Sequence, residues 1–226
     1  MLRAVIFDFD GVITDSEVLH FRAFNEVLGR YDAAITMTDY YRHYLGLSDF
    51  DLFTLLADEG LMRIETCQIE NLVKQKNRIF EKLAKTEGRI IEGVRDFLQM
   101  LRANNIPMAI CSGALLAEIE LILEDAKLRS FFETIVSAEQ VKKGKPNPEG
   151  FLLTLERLNK KRQDTISAGQ CVVIEDSRWG LAAAKAAGMH TVAVTNSYEA
   201  EQLAMAEKIV AHLNQLNISE LQDLCG

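Results

Sequence analysis

The sequence lacks paired cysteines, long apolar runs and an excess of positive charge, and each absence removes a class of protein. Its four cysteines are Cys67, Cys111, Cys171 and Cys225. They lie far apart, with no Cys-x-x-Cys pair and no histidine at metal-ligand spacing. This pattern excludes a zinc site and a disulfide framework, and it fits a reducing cytoplasm.

No apolar segment is long enough to cross a membrane or to form the core of a signal peptide. The chain begins Met1-Leu2-Arg3 and reaches Asp8 after only a short apolar stretch. A membrane-spanning helix needs about 20 apolar residues. We therefore expect a cytoplasmic protein with no membrane partner.

Basic residues are fewer than acidic ones. The chain has 25 Lys and Arg against 33 Asp and Glu, which gives a net charge of -8 at pH 7. Proteins that bind nucleic acid usually concentrate positive charge on one face, so we expect no nucleic-acid partner. The 226 residues are 48% hydrophobic, enough for one substantial core and a smaller insertion. We expect a monomer.

Short apolar runs recur along the chain, and helical patterns separate most of them. The predicted strands are residues 3–9, 107–111, 134–137, 171–174, 191–194 and 208–211. Strands that are apolar throughout and alternate with helices are typical of a parallel sheet covered on both faces. The predicted fold class is therefore α/β, with a Rossmann-like parallel sheet as its core.

Residues 16–86 break this alternation, because they show one helical pattern after another, including helices expected over 51–59 and 65–85, and no convincing strand. We predict a small, all-helical cap domain over 16–86, inserted into an α/β core domain formed by 1–15 and 87–226. The insertion follows the first strand directly, so we expect it to emerge at the carboxyl ends of the sheet. Ligands bind there in open α/β folds, and the cap is expected to act as a lid.

Two carboxylates, Asp8 and Asp10, come directly after the first apolar run, with Gly11 behind them. Side chains two residues apart on an extended segment share a face, so both acids can reach one reaction centre. A calcium loop can also begin with Asp-x-Asp-Gly, but it needs a polar ligand at its fifth position, where Val12 stands, and it follows a helix and not an apolar strand. The spacing therefore favours a phosphoryl-transfer site.

Three later segments also place polar residues at the ends of predicted elements. Ser112-Gly113 follows one strand and could bind phosphate oxygens, or Ser112 could cap the following helix. Lys145 stands between Gly144 and Pro146 as a candidate fixed cation, or as a solvated loop charge. Glu175-Asp176 ends a further strand. Carboxylate and carbonyl oxygens are the ligands that Mg²⁺ prefers, so together these groups predict a magnesium and phosphate site.

The same motifs, in order and spacing, resemble the four signature motifs of the haloacid dehalogenase superfamily. They are Asp8-Phe9-Asp10-Gly11-Val12, Ser112-Gly113, Gly144-Lys145-Pro146-Asn147-Pro148 and Glu175-Asp176-Ser177. The match spans nearly the whole chain. With its small helical insertion after the first motif, the chain is similar to the branch that contains β-phosphoglucomutase, phosphoglycolate phosphatase and sugar-phosphate phosphatases.

This resemblance implies a role for each motif. Asp8 would be the nucleophile that forms an aspartyl-phosphate, and Asp10 the general acid and base. Ser112 and Lys145 would hold the phosphoryl oxygens, with Gly113 beside them as a candidate substrate contact. Mg²⁺ would be bound by four residues. These are Asp8, Asp10 through its backbone carbonyl, Asp176, and Glu175 directly or through water.

Within the superfamily the sequence favours a phosphatase that acts on a small phosphorylated metabolite. True dehalogenases lack the second acid, which is present here as Asp10. His20 and Lys76 resemble cap residues of β-phosphoglucomutase and are candidate substrate contacts. However, Asp49 stands where that mutase carries an arginine for the second phosphate. A mutase is the alternative function, and a non-catalytic binding protein of the same fold is disfavoured because all the key acids and Lys145 are present.

Overall fold

The structure is a computed structural model that describes residues 1–45, 47–62, 64–160 and 162–226. The chain forms two compact units. The first contains Met1–Asp15 and Arg89–Gly226, and the second contains Ser16–Gly88. The domain boundaries predicted from the sequence, at residues 15/16 and 86/87, stay predictions.

The first unit is built on a six-stranded parallel sheet. Its strands are β1 (Ala4–Phe7), β2 (Met108–Cys111), β3 (Thr134–Val136), β4 (Cys171–Glu175), β5 (His190–Val194) and β6 (Lys208–Val210). Their order across the sheet is β3-β2-β1-β4-β5-β6, and every neighbouring pair is parallel. β1 therefore lies between β2 and β4, and the predicted α/β fold class is confirmed.

Apolar side chains of β1 point alternately to the two faces of the sheet, as the pleat requires. Ala4 and Ile6 belong to a buried cluster with Phe151 and Val173. Phe7 meets the rings of Phe97 and Phe132 edge-on, with ring centroids 6.0 and 5.9 Å away. Because each face of β1 is covered by apolar side chains, the strand is buried along its whole length.

The helices of the first unit lie between its strands, except for the last helix, which follows β6. They are α5 (Val94–Ala103), α6 (Leu116–Asp125), α7 (Glu149–Asn159), α8 (Arg178–Ala186) and α9 (Ile218–Leu224). The numbering follows the chain, so α1 to α4 belong to the second unit. The end of α8 is marked by Gly188, which has a φ of +76°. Glycine adopts that left-handed backbone without the steric cost of a side chain, so the turn into β5 can be tight.

The second unit is helical. It contains α1 (Glu17–Leu28), α2 (Met37–Asp39), which continues as a π-helical turn over Tyr40–Tyr44, α3 (Asp49–Asp58) and α4 (Ile69–Glu87). Its core is a cluster of buried apolar side chains contributed by these helices, including Phe24, Tyr40, Phe53 and Leu72. Among the described residues, no helix has both the length and the apolar character needed to cross a membrane.

Two helix starts in this unit differ from the sequence-based expectation, and side-chain capping explains both. α3 was expected from residue 51 but begins at Asp49, because the Ser48 hydroxyl accepts a hydrogen bond from the Asp51 amide (3.1 Å). The long helix was expected from residue 65. There the Glu65 amide donates to the Gln68 side chain (2.9 Å), a 3₁₀ turn covers Thr66–Gln68, and α4 begins at Ile69.

Candidate active site

Predicted site residues from three neighbouring strands meet at one edge of the sheet. Asp8 follows β1, Ser112 follows β2, and Glu175 is the last residue of β4, with Asp176 behind it. β1 pairs with both β2 and β4 in parallel register, so the carboxyl ends of all three strands lie side by side. The structure therefore brings these four residues together.

Lys145 joins this group from the loop before α7. Its ammonium donates hydrogen bonds to Asp8 Oδ1 and to Glu175 Oε1, each at 2.6 Å. The Lys145 side chain is 17% exposed, and its Nζ lies 5.3 Å from the centre of the Phe151 ring. The alternative that Lys145 is a solvated loop charge is therefore wrong.

Glu175 is completely buried, and both its oxygens have partners. Oε1 accepts from Lys145, while Oε2 accepts from the amides of Asp176 (2.9 Å) and Ser177 (2.8 Å) and from the Ser177 hydroxyl (2.8 Å). A Cβ on Gly180 would lie 1.6 Å from Glu175 Oε1. The glycine in the first turn of α8 is thus required for this carboxylate to occupy its place.

The site holds more negative charge than its lysine can balance. Asp8, Glu175 and Asp176 are buried, and one oxygen from each lies within 4.8 Å of the others. Burial is the main cause that raises the pKa of Asp8 to about 7; Lys145 lowers it, and Glu175 and Asp10 raise it. Burial, with Glu175 and Asp8, also raises the pKa of Asp176 well above its usual range.

Lys145 stays charged in this setting. Burial lowers its pKa, but the carboxylates of Asp8 and Glu175 outweigh burial and hold the pKa above the ordinary value. One ammonium therefore stands against three buried carboxyl groups. A hard divalent cation would relieve this excess, and the donor set consists of the oxygen ligands that Mg²⁺ prefers, so the residues present fit the predicted ion.

Asp10 lies in a tight turn that follows Asp8. The Gly11 amide donates to the Thr14 carbonyl oxygen (2.7 Å), and Gly11 has a φ of +73°. Asp10 is close enough to Asp8 for its charge to raise the pKa of that residue. The structure therefore places both acids of the first motif in one neighbourhood, and the assignment of the Asp10 carbonyl as a metal ligand stays a prediction.

Ser112 is buried, and its hydroxyl oxygen accepts a hydrogen bond from the Ala114 amide at 2.9 Å. It does not cap the following helix, because the N-cap position of α6 belongs to Leu115. Gly113 lies in the turn between them, and a Cβ placed there would meet no atom within 4 Å. The Ser112 hydroxyl hydrogen and the open backbone at Gly113 suit the binding of phosphoryl oxygens.

The helical unit contains a second buried lysine. Lys76 is 1% exposed, and its Nζ lies 2.8 and 2.9 Å from the two Asp49 oxygens and 2.6 Å from His20 Nδ1. The rings of Phe24 and Phe80 lie 5.0 and 5.2 Å from Nζ. The structure thus brings together the two candidate substrate residues of the cap, and it shows that Asp49 is paired with Lys76.

His20 is neutral in this cluster. Burial and the Lys76 charge lower the pKa of His20 well below its usual range. Because the Lys76 ammonium donates to Nδ1, the imidazole carries its proton on Nε2. His20 also stacks on Phe80, with ring centroids 4.0 Å apart. The candidate substrate contact His20 is therefore a fixed, uncharged hydrogen-bond donor.

Two residues of the core site were missed in the sequence. The Asn196 side chain donates to the Gly11 carbonyl oxygen at 2.7 Å, and the Ser197 hydroxyl is hydrogen-bonded to Asp176. They lie two and three residues after the end of β5, as Asp8, Ser112 and Asp176 lie just after the ends of their own strands. The rule that polar residues after an apolar strand mark the site could have identified them.

Comparison with known proteins is consistent with this geometry. A sequence model described as haloacid dehalogenase-like hydrolase matches residues 5–194. The chain is 34% identical to a phosphorylated carbohydrates phosphatase of Thermotoga maritima, over 84% of each chain. It is 31% identical to a fructose-1-phosphate phosphatase of Escherichia coli, over 84% of this chain and 95% of that one.

One solved structure is similar along the entire chain. It is a β-phosphoglucomutase from Clostridium difficile, which superimposes with a TM-score of 0.82 at 26% identity. The alignment covers 100% of this chain and 97% of the other. Phosphatases and a phosphomutase are thus both among the proteins that this chain resembles.

Proposed function

The chain belongs to the family of haloacid dehalogenase-like hydrolases, and from this membership we propose that it is a Mg²⁺-dependent phosphatase of small sugar phosphates. One observation carries the proposal. The carboxylate of Asp8 lies 2.6 Å from the Lys145 ammonium, inside a buried group of three acids. This arrangement combines a nucleophile, a cation for phosphoryl oxygens and a surplus of negative charge that a divalent ion can balance.

In the first step, an oxygen of Asp8 attacks phosphorus and the bond from phosphorus to the sugar oxygen breaks. Asp10 donates its proton to that departing oxygen, so the sugar leaves as an alcohol and Asp8 becomes an aspartyl-phosphate. In the second step, Asp10 takes a proton from water as the water attacks phosphorus. Inorganic phosphate is released and Asp8 is regenerated, which balances the overall hydrolysis.

The other residues of the site bind and orient the phosphoryl group. In this proposal Lys145 supplies positive charge to its oxygens, and the Ser112 hydroxyl and the amides near Gly113 donate hydrogen bonds to them. Bound Mg²⁺ would be held by Asp8, Asp176, the Asp10 carbonyl and Glu175 directly or through water, and it would neutralise charge between the two anions as they approach. Glu175 also holds Lys145 beside Asp8.

The substrate class is proposed from the relatives. The two curated proteins described above are named for phosphorylated carbohydrates and for fructose 1-phosphate. The neutral Nε2–H of His20 is a donor suited to a sugar hydroxyl or ring oxygen. We therefore expect a monophosphate whose remaining part is uncharged and rich in hydroxyl groups.

A phosphomutase is the second candidate, favoured by the similarity of the whole chain to β-phosphoglucomutase. Such an enzyme must hold an intermediate with two phosphates. In the helical unit the charge of Lys76 is paired with Asp49 at 2.8 Å, and Arg22 is paired with Glu87. The cluster around Lys76 therefore offers no surplus positive charge to a second phosphate, which favours the phosphatase.

The proposal is tested by phosphate release from a panel of sugar phosphates with Mg²⁺, including fructose 1-phosphate and β-glucose 1-phosphate. The latter is run with and without a glucose 1,6-bisphosphate primer. Steady release of phosphate without primer, abolished in Asp8→Asn, supports a phosphatase. Primer-dependent glucose 6-phosphate with little free phosphate would establish the mutase, and no reaction at all would favour a non-catalytic protein. The expected monomer stays a prediction.

A further inference from the structure

The loop after β5 holds two separate parts of the site. The Thr195 amide donates to the Val210 carbonyl oxygen (3.1 Å), which ties the start of this loop to β6. The next residue, Asn196, donates to the Gly11 carbonyl oxygen at 2.7 Å. Ser197 then hydrogen-bonds to Asp176. A single short segment thus contacts the turn behind Asp10 and the third acid of the cluster.

The hydrogen bond from Asn196 to Gly11 helps to fix the turn that contains the Asp10 carbonyl, which is the proposed metal ligand. The Gly11 amide is held by the Thr14 carbonyl oxygen at 2.7 Å. In a trans peptide the N–H and C=O groups point in opposite directions, so the Asp10 carbonyl is turned away from Thr14. Asn196 holds the next peptide through the Gly11 carbonyl. Both peptide planes that flank Gly11 are therefore fixed, one by Thr14 and the other by Asn196.

The side chains of Asp176 and Ser197 pack closely against Gly11. A Cβ placed on Gly11 would lie 1.8 Å from Asp176 Oδ2 and 2.8 Å from Ser197 Oγ. The missing side chain of Gly11 thus leaves space that the Asp176 carboxylate and the Ser197 hydroxyl fill together. Because Ser197 donates a hydrogen bond to this carboxylate, it favours one orientation of the Asp176 side chain.

We propose that Asn196 and Ser197 are positioning residues for the divalent cation. Asn196 fixes the peptide after Gly11 and so supports the turn in which Thr14 orients the Asp10 carbonyl, and Ser197 orients the Asp176 carboxylate. Neither residue contacts the reacting atoms. The inference rests on the proposed function, since it concerns the cation on which that function depends. Hydrogen-bond partners of metal ligands commonly change metal affinity about 10- to 100-fold when they are removed.

The test is isothermal titration calorimetry of Mg²⁺ into the metal-free full chain, without substrate. We compare the unmodified protein with the loop variants Asn196→Ala and Ser197→Ala. The matched controls are Asn104→Ala, directly after α5, and Ser219→Ala, in α9. Each loop variant is expected to raise the Mg²⁺ dissociation constant about tenfold or more. The controls are expected to bind like the unmodified protein. Phosphate release by the loop variants should recover when Mg²⁺ is saturating.

A conservative variant separates positioning from general structure. Ser197→Thr keeps the hydroxyl and is expected to bind Mg²⁺ more tightly than Ser197→Ala; thermal unfolding without metal checks that each variant folds. Unchanged Mg²⁺ affinity in folded loop variants would overturn the inference while leaving the phosphatase intact. No Mg²⁺ binding by the unmodified protein would overturn the inference together with the metal dependence of the proposed function.

Discussion

The two units of this protein each bury one lysine against carboxylates, with different charge balance. In the α/β unit, Lys145 pairs with Asp8 and Glu175 while Asp176 lies in the same cluster. In the helical unit, Lys76 pairs with Asp49 and contacts the neutral His20. The Lys145 cluster has an excess of negative charge, and the Lys76 cluster has none.

This difference separates a reactive site from a balanced one. Burying a charge is costly unless it is paired, so an uncompensated excess is kept only where something else compensates it. At the Lys145 cluster that compensation is the proposed cation and the phosphoryl chemistry. At the Lys76 cluster the ammonium and carboxylate compensate each other, and the buried pair serves the fold and leaves His20 as an uncharged donor.

The largest expected effect is the loss of turnover in Asp8→Asn. The amide keeps the shape of the side chain but cannot act as the nucleophile, so phosphate release is expected to fall by about four orders of magnitude or more. Steady-state phosphate release measures it, with the surface variant Asp223→Asn as a control that keeps full activity. Residual turnover near that of the control would show that the excess charge has another purpose.

Removing Lys76 is expected to act mainly on stability. Lys76→Met leaves Asp49 without its partner and should lower the free energy of unfolding by about 1–3 kcal/mol. In the double variant Lys76→Met/Asp49→Asn most of this loss should be recovered. Urea unfolding measures both. Lys160→Met, at an exposed pair with Glu156, is the control and should change stability by about 0.5 kcal/mol or less.

The excess negative charge at the Lys145 cluster should also make the free energy of unfolding depend on pH. The pKa of Asp8 is raised from 3.8 to about 7, so between these values the native protein holds a proton that the unfolded chain has lost. Stability of the metal-free protein therefore falls as the pH rises through this range. Because Asp8→Asn has no carboxylate to ionise, it avoids this fall in stability. It should be more stable than the unmodified protein at pH 8, by about 1–3 kcal/mol.

Unfolding curves at pH 4 and pH 8 in a chelator check this prediction. The advantage of Asp8→Asn should be much smaller at pH 4, close to the ordinary pKa of 3.8, because the unfolded chain then also holds much of the proton that Asp8 holds in the native protein. An equal advantage at both pH values would mean that the gain does not come from the buried charge. The same comparison for Asp49→Asn provides the contrast from the balanced cluster, where no such gain is expected.

The smallest expected effect is a change in selectivity when the Lys76 cluster is unbalanced. Asp49→Asn leaves the Lys76 charge without its carboxylate partner and should raise the ratio of kcat/KM for fructose 1,6-bisphosphate over fructose 1-phosphate by about fivefold, the scale of one weak charge contact. Asp51→Asn, in the same helix, is the control. An unchanged ratio would show that Asp49 does not limit the use of bisphosphates.

The sequence was sufficient to predict the fold because each strand is a compact apolar run between helical patterns. The six predicted strands correspond to β1–β6, with ends that differ by one or two residues, and polar groups after β1, β2 and β4 meet as expected. These predictions succeed because parallel strands bring their carboxyl ends to one edge. Lys145 was also identified, although its contact with Glu175 needs the loop geometry.

Other features could not be read from one chain. The pairing of Asp49 with Lys76 joins residues on two helices, and the sequence also contains Arg22 and Arg42 as cations of the same insertion. The packing of α3 against α4 brings Asp49 beside Lys76, and the packing of α1 against α4 brings the Phe24 ring over the same ammonium. Helix starts at Asp49 and Ile69 likewise depend on side-chain capping, which apolar periodicity does not detect.

The most direct test of the account is Mg²⁺ titration by calorimetry into two matched variants, Asp176→Asn in the Lys145 cluster and Asp49→Asn in the Lys76 cluster. Each removes one carboxylate charge beside a buried lysine. The account predicts that Asp176→Asn loses Mg²⁺ binding, while Asp49→Asn binds like the unmodified protein. Retained binding in Asp176→Asn, or its loss in Asp49→Asn, would contradict the assignment of the metal site to the Lys145 cluster.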